Sequence, residues 1–164
     1  SRGRENIYMG RNYNQEIAMC IKNFLEKDEW QFDFEEDKGV FHFGLTLHNK
    51  IKSLEYHIVV REYDYTSYGV IPISADECKA EMAEFLTRTN YGLNNGNFEL
   101  DYRDGEIRYK CFVNCDGVMP GEQIVKDSIY LPAMVVRHYA DGILAVIFGM
   151  KTPEQAVKDC EEAE

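Results

Sequence analysis

The sequence predicts an α+β domain in which helices pack on an antiparallel sheet of about five to six strands. Some segments place an apolar residue at every second position and others at three- to four-residue spacing, which indicates both strands and helices. In addition, Asp104-Gly105 lies between two alternating segments, as in a β-hairpin. The predicted order, α-β-β-β-(β)-α-β-β-α-α, favours antiparallel strands with helices packed on them.

The N-terminal part of the chain changes from a helical period to a strand period. Residues 1–12 are polar and show no period, so we expect a flexible N-terminal segment. Residues 13–28 carry apolar side chains at helical spacing and predict the first helix. A turn at Asp37-Lys38-Gly39 follows the first of three alternating segments. The strands predicted from this alternation span residues 30–35, 40–47 and 54–63.

The middle of the chain predicts an irregular strand and a second helix. The apolar segment Val70–Ile73 contains Pro72, which cannot donate a ladder hydrogen bond, so we predict an edge strand or a linker. Ser74, with Glu77 three residues later, forms a capping-box pattern and predicts a helix start. The helix should end near Asn90–Gly92, where glycine would supply a left-handed conformation. Its predicted buried stripe is Cys78, Met82, Phe85, Leu86 and Thr89.

The hairpin that follows predicts its own register. A two-residue turn at Asp104-Gly105 would place opposite charges across one face and apolar side chains across the other. The predicted charged pairs are Arg103 with Glu106, Asp101 with Arg108, and Glu99 with Lys110. The predicted apolar pairs are Tyr102 with Ile107, Leu100 with Tyr109, and Phe98 with Cys111. A slip by one residue would exchange the two faces.

Helices are predicted for the rest of the chain. Residues 121–148 are helical in pattern, but Pro132 lacks a backbone donor, so we expect two helices or one sharply kinked helix. The sequence Thr152-Pro153-Glu154-Gln155 supplies an N-cap, a proline at the first helical position and a third-position glutamine. It predicts a short acidic C-terminal helix over residues 151–164.

A membrane span is not expected. Residues 128–150 are largely apolar, but Arg137 and Asp141 would lie near the bilayer centre, where each costs about 2.5–3.5 kcal/mol. We therefore assign this segment to a buried helix within a single domain over residues 13–150.

Charge and cysteine content narrow the classes of function. The 164 residues carry a net charge of −11, which opposes the phosphate attraction that supplies most nonspecific nucleic-acid affinity. Nucleic acid is therefore not an expected partner. The five cysteines form no Cys-x-x-Cys pair and are odd in number, which favours free thiols in a reducing, cytoplasmic compartment.

The helix before "LTRTNY" and the hairpin "GNFELDYRDGEIRYK" resemble the YbjN-like family of bacterial sensory-transduction regulators, which is similar to the type III secretion chaperone fold. The resemblance in element order covers about residues 13–148. Its specific residues are Phe85-Leu86, Asn90, Gly96, Phe98-Glu99-Leu100, Asp104-Gly105 and Arg108-Tyr109. The resemblance implies a non-enzymatic regulatory or chaperone-like protein-binding module, often dimeric. It supplies no catalytic motif.

Residue chemistry offers few alternatives. His42 and His48 would lie too far apart on one strand to share a metal, although His57 could lie across from either. Asp101 has Arg108 opposite it in the predicted hairpin, so we interpret it as part of a solvated charged face. We expect no cofactor and no metal. The alternative is a small-molecule-binding domain or an unrecognised, hydrolase-type enzyme with Asp101 or His57 in a sheet-face pocket.

The aromatic strands supply the candidate partner-binding residues. The third predicted strand is apolar on both faces, as expected of a strand buried once by its own helices and once by a partner. We therefore predict that Trp30, Phe34, His57 and Val59 contribute to an exposed or dimer-buried surface. Pairing of an added peptide strand with a sheet edge is an equally simple hypothesis.

Overall fold

A computed structural model describes residues 12–163. Apart from Asn12, the predicted flexible segment over residues 1–12 lies outside the described residues, as does Glu164. The helices are α1 (Gln15–Lys27), α2 (Lys79–Tyr91), α3 (Glu122–Ile147) and α4 (Pro153–Glu162), with a short 3₁₀ turn at Asp76–Cys78 before α2. The strands are β1 (Asp33–Glu35), β2 (Val40–Thr46), β3 (Ser53–Val60), β4 (Asp64–Ser74), β5 (Asn97–Asp101) and β6 (Glu106–Asn114).

The six strands form one antiparallel sheet in the order β1-β2-β3-β4-β6-β5, so the predicted α+β class is confirmed. One face of the sheet, here called the covered face, packs against the helices. On it the Tyr56 hydroxyl donates to the backbone carbonyl of Ile129 in α3, and the Tyr65 hydroxyl lies 2.8 Å from the Ser128 hydroxyl. Nearly all side chains on this face are buried because helices and strands exclude water between them.

The opposite face, here called the open face, carries the alternate residues of each strand. Within residues 12–163, most of these side chains are half-buried or exposed. The open face is defined by Val40, His42, Gly44, Glu55, His57, Val59, Thr66, Tyr68, Val70, Glu99, Arg108, Lys110 and Phe112.

The observed hairpin register differs from the predicted one by two residues. Asp101 lies opposite Glu106, and the connection is a four-residue loop over residues 102–105 rather than a two-residue turn. Gly105 takes a φ of +77° and donates its N–H to the Asp101 carbonyl at 2.7 Å. A Cβ at Gly105 would lie 2.2 Å from the Asp76 backbone nitrogen, so the loop packs against the 3₁₀ turn that precedes α2. Because the shift is even, the predicted faces are correct.

The predicted position of Pro72 is wrong. Val70–Ile73 belongs to the eleven-residue strand β4, which lies in the middle of the sheet between β3 and β6. The paired residues of β3 and β4 end at Val70, and the β4–β6 register shifts between Val70 and Ser74. Pro72 lies in that irregular interval, so its missing donor interrupts neither ladder.

Local details at the helix ends also differ. Gly92 has a φ of −95°, so α2 does not end in the predicted left-handed conformation. The Ser74 hydroxyl accepts from the Asp76 N–H at 3.1 Å and donates to the Asp104 carbonyl, which replaces the predicted capping box with Glu77. The first strand is only Asp33–Glu35, shorter than predicted.

The C-terminal helices are closer to the predictions. α3 runs through Pro132 as one helix. Thr152 caps α4 by accepting from the Gln155 N–H at 3.2 Å, and Pro153 is the first helical residue, as predicted. Among the described residues, no helix combines the length and apolarity that a bilayer crossing needs.

Candidate functional site

The four predicted partner-binding residues lie in two different places. Trp30 and Phe34 contact covered-face rings at the β1 end of the sheet, whereas His57 and Val59 lie on the open face. All four side chains are half-buried. They therefore do not form one continuous surface.

A row of rings crosses the open face. His42, His57 and Tyr68 are consecutive cross-strand partners on β2, β3 and β4. The His42 and His57 ring centres are 6.3 Å apart, and the His57 ring stacks on Tyr68 at 4.7 Å with an interplanar angle of 25°. The Arg108 guanidinium carbon lies 4.1 Å from the centre of the Tyr68 ring, in a cation–π geometry. The row therefore joins four strands through side-chain contacts.

Ion pairs lie at both ends of this row. Glu99 accepts from the Arg108 guanidinium at 2.8 Å and lies 3.3 Å from the Lys110 ammonium, so the predicted Glu99–Lys110 pair forms diagonally across the strands. At the other end, Nε2 of His42 lies 2.6 Å from a carboxylate oxygen of Glu35. The hydrogen bond from His42 is the main cause of the lowered pKa of Glu35.

His57 is neutral at physiological pH. Burial, with smaller contributions from the positive charge of Arg108 and from the neighbouring His42, lowers the pKa of its imidazole to about 4. A neutral imidazole can stack on Tyr68 without a counter-ion. His57 is therefore a poor proton acceptor in this position.

Apolar side chains flank the row. Val59 is the cross-strand partner of both Val40 and Thr66, and Val70 lies beside Arg108. Phe112, opposite Thr66, exposes 54% of its surface. The centre of the open face thus combines apolar side chains with internally paired charges.

A groove lies between α1 and β1. Its volume is about 390 Å³, and its apolar lining includes Tyr13, Met19, Phe32 and Phe34. The Phe34 ring stacks on Phe41 at 4.3 Å and meets the edge of Tyr13 at 6.2 Å. Because β1 is the first strand of the sheet, the groove borders a sheet edge.

The two edges of the sheet differ. At β5, the Asn90 side chain donates to the Phe98 carbonyl at 2.9 Å and accepts from the Phe98 N–H at 2.8 Å, as a neighbouring strand would. α2, which carries Asn90, therefore closes this edge at Phe98. No described element pairs with the outer side of β1.

Trp30 forms hydrogen-bond and ring contacts with neighbouring elements at the β1 end of the sheet. Its indole N–H donates to Asp28 at 2.9 Å, and the Tyr130 hydroxyl of α3 donates to the same carboxylate at 2.5 Å. The indole ring also packs against Phe43 at 5.0 Å. Contacts within the chain are therefore sufficient to explain why the Trp30 side chain is half-buried.

The carboxylate of Asp101 lies in a depression of about 340 Å³ at the hairpin. Its predicted pairing with Arg108 is wrong: Arg103 lies 2.7 Å from it instead, because the register is shifted. Hydrogen bonds from Arg103 lower the pKa of Asp101 to about 2. Within residues 12–163, no group of three or more His, Cys, Asp or Glu side chains is arranged to hold a metal ion.

Sequence reasoning missed Tyr68, because residues 64–69 of β4 were not predicted as a strand. It did identify Asn90 as part of a motif, but not its bonds to Phe98. Both bonds depend on the fold, since eight residues separate the two partners and a loop reverses the chain between them.

No protein-family model and no curated protein sequence matches the chain, so membership of the YbjN-like family stays a prediction. Among solved structures, the chain is similar to the type III secretion chaperone SycH of Yersinia pestis, crystallised in complex with a stable fragment of YscM2. The superposition has a TM-score of 0.47 at 10% sequence identity and covers 74% of this chain and 95% of that chain.

Proposed function

We propose that this chain is a non-enzymatic, regulatory or chaperone-like protein-binding module of the bacterial cytoplasm, which works as a homodimer. An extended segment of the partner protein pairs with the outer side of β1. The contrast between the two sheet edges carries this proposal, because Asn90 closes the β5 edge while the β1 edge borders an aromatic groove.

The groove beside β1 suits an extended segment. Backbone pairing with an edge strand supplies affinity, and pockets for alternate side chains supply specificity. β1 has only three residues, so backbone pairing alone would be weak. The groove lined by Met19 and Phe34 provides the apolar contact that such a segment needs.

A second copy of the chain occupies the open face. Two copies with a net charge of −11 each repel one another unless they meet where charge is locally balanced. The open face provides such a place, since the carboxylates of Glu55 and Glu99 offset the positive charges of Arg108 and Lys110 beside the apolar side chains of Val59 and Phe112. A two-fold interface places the same patch on both subunits, and this patch carries both signs of charge.

The enzyme alternative has less support. The pKa of Asp101, at about 2, makes its carboxylate a weak base, and that shift comes from an exposed ion pair with Arg103. His57, with a pKa of about 4, is likewise a weak base at neutral pH. General acid–base catalysis works best with a pKa near the working pH.

Capture and hydrogen exchange test the β1 proposal. Tagged wild-type chain, Met19→Asp and Phe34→Asp are expressed in bacterial cells, and bound proteins are quantified by mass spectrometry. Tyr102→Asp is the matched control, because Tyr102 is 58% exposed on the hairpin loop. We expect a defined protein that both groove variants lose and the control retains, and whose binding protects residues 33–35 from hydrogen exchange.

Binding that is equally strong in both groove variants, or protection confined to other strands, would refute the β1 proposal. Circular dichroism and the fluorescence of Trp30, the single tryptophan, confirm that each variant is folded. Met19 is 53% exposed, so Met19→Asp separates loss of binding from loss of folding.

Native mass measurement tests the homodimer separately. We expect a particle of twice 19.1 kDa for the wild type and of 19.1 kDa for Val59→Glu. Ile124→Glu adds the same charge on α3, away from the open face, and should remain dimeric. A wild-type monomer at high micromolar concentration would disprove the open-face dimer and leave the β1 test unaffected.

A further inference from the structure

A second groove lies between α3 and α4, far along the chain from β1. Its volume is about 620 Å³. α3 contributes Arg137, His138 and Asp141, which lie on one side of the helix because they are one, three and four residues apart. Asp159 and Cys160 of α4 and Lys151 of the connecting loop complete its polar lining.

Gly142 of α3 lines this groove and lies close to Cys160 of α4. A Cβ at Gly142 would lie 2.7 Å from the sulfur of Cys160 and 2.8 Å from the Phe85 ring. A side chain at position 142 would overlap these atoms, so glycine allows α3 and α4 to pack closely beside the groove. The volume is within the range of pockets that hold small molecules.

The charges that line the groove fall into two groups. The Lys151 ammonium lies 2.6 Å from the Asp159 carboxylate, which also accepts from the Gln155 side chain at 2.7 Å. The side chains of Arg137 and Asp141 are different: neither forms a hydrogen bond or an ion pair with a side chain in the described range 12–163. The hydrogen bond to Asp159 and, to a smaller extent, the negative charge of Asp141 raise the pKa of Lys151, but the Lys151 ammonium is bonded to Asp159 rather than to Asp141. The Arg137 guanidinium and the Asp141 carboxylate, four residues apart on the same helix, can therefore bond to a ligand.

We propose that this groove binds a small zwitterion of the α-amino acid class. The ligand carboxylate pairs with the guanidinium of Arg137, whose planar fork suits two parallel hydrogen bonds, and the ligand ammonium pairs with the carboxylate of Asp141. An α-amino acid carries both charges on one carbon, which matches two groups that are neighbours on a helix surface.

The net charge of the chain also favours a zwitterion over a simple anion. A field of −11 opposes the approach of a free anion, whereas a ligand without net charge is not repelled. Met134, which is 60% exposed at the rim, offers an apolar contact to the ligand side chain.

Thermal unfolding and calorimetry of the full chain test the proposal. The probes are the standard L-amino acids and glycine at millimolar concentration, with sodium acetate and methylammonium chloride as half-ligands. We expect at least one amino acid to raise Tm by about 5 °C or more at a hundredfold excess over Kd. Neither half-ligand should do so.

Substitutions then locate the site. Arg137→Gln and Asp141→Asn should each weaken binding at least about tenfold, since each removes a charge-assisted hydrogen bond. Lys126→Gln and Asp127→Asn are the matched controls: both are exposed on α3 outside the groove and remove the same charges. These controls should bind like the wild type.

Four results would overturn the zwitterion site. The first is an unchanged Tm and no heat of binding with every amino acid. The second is wild-type affinity in both groove variants. The third is equal stabilisation by acetate, and the fourth is loss of binding in Arg137→Gln alone; either of these two would assign a simple anion site. The β1 and open-face tests concern other surfaces, so their outcomes are independent.

Discussion

The two faces of the sheet use the same strands in different ways. On β3, Tyr56 and Ile58 are 2% and 0% exposed under the helices, whereas their neighbours His57 and Val59 are half-buried on the open face. The covered face must fill a fixed volume between strands and helices, so shape decides which side chains fit. The open face has no such neighbour among the described residues, and its contacts run sideways, from ring to ring and from charge to charge.

The difference extends to polar groups. On the covered face, the hydroxyls of Tyr56 and Tyr65 bond to α3, because a buried hydroxyl without a partner is costly. On the open face, Arg108 and Lys110 share Glu99 within the sheet. Stability should therefore depend on the covered face, whereas the two surfaces proposed above for binding are the open face and the β1 edge.

The strongest test of this difference compares two adjacent residues of β3. Ile58→Ala should lower the free energy of unfolding by about 3–4 kcal/mol, because it leaves a cavity under the helices. Val59→Ala should lower it by about 1 kcal/mol or less at concentrations where the chain is monomeric. Urea unfolding measures both. Equal losses would show that the open face of a single chain is also a core.

Acid titration tests the burial of His57. Its pKa is about 4 in the folded chain and about 6.5 when unfolded, so the unfolded state binds more protons between these values. Stability is therefore lost as the pH falls from about 6.5 to 4, by about 1–2 kcal/mol after allowing for solvent screening.

His57→Phe keeps the ring against Tyr68 but cannot titrate. As the pH falls from about 6.5 to 4, we expect the wild type to lose about 1–2 kcal/mol of unfolding free energy more than the variant, as measured by urea unfolding. The charged and titratable groups that face His57 are Arg108, His42 and Tyr68. A constant difference between wild type and variant would show that His57 is protonated normally.

Paired tyrosines provide a smaller test. Tyr56→Phe removes the hydrogen bond to the Ile129 carbonyl and should lower the free energy of unfolding by about 1–1.5 kcal/mol. The Tyr68 hydroxyl on the open face bonds to no described residue, so Tyr68→Phe should change stability by about 0.5 kcal/mol or less. Similar losses of stability in both variants would contradict the expectation that only the covered-face hydroxyl stabilises the fold.

Substitutions of two strand glycines should change the free energy of unfolding least, and in opposite directions. A Cβ at Gly69, on the covered face, would lie 3.3 Å from the Pro132 ring, so Gly69→Ala should destabilise by about 1 kcal/mol. At Gly44, on the open face, the nearest atom is a Glu55 carboxylate oxygen at 3.5 Å. Gly44→Ala should therefore stabilise by about 0.5 kcal/mol, because it restricts the unfolded chain. Thermal and urea unfolding measure the stability of both variants. Stabilisation by Gly69→Ala would show that α3 can move away from the added methyl group without cost.

Several features of the fold could be predicted from the sequence because they depend on neighbouring residues. Alternation identified β2 and β3, and helical spacing identified α1 and the buried stripe of α2, in which Met82, Phe85, Leu86 and Thr89 are buried. Thr152 and Pro153 predicted the start of α4 correctly. Each of these signals requires only a few residues of chain.

The sequence predicted the candidate sites less well than the fold. Trp30, Phe34, His57 and Val59 were grouped because all four are apolar or aromatic residues in alternating segments. The sheet separates them, and only Phe34 lines the β1 groove. The pairing of Asn90 with Phe98 and the groove lined by Arg137 and Asp141 depend on how separate elements pack together, which periodicity does not record.

The sequence by itself determined which residues share a face of each strand, because side chains alternate whatever the register. The hairpin shows the limit: its faces were predicted correctly, although its register was shifted by two residues. Only the tertiary structure decided that register, since Gly105 must fit against the Asp76 backbone, and only it placed Pro72 within a central strand. It also decided which face the helices cover, because that choice depends on packing between residues far apart in the chain.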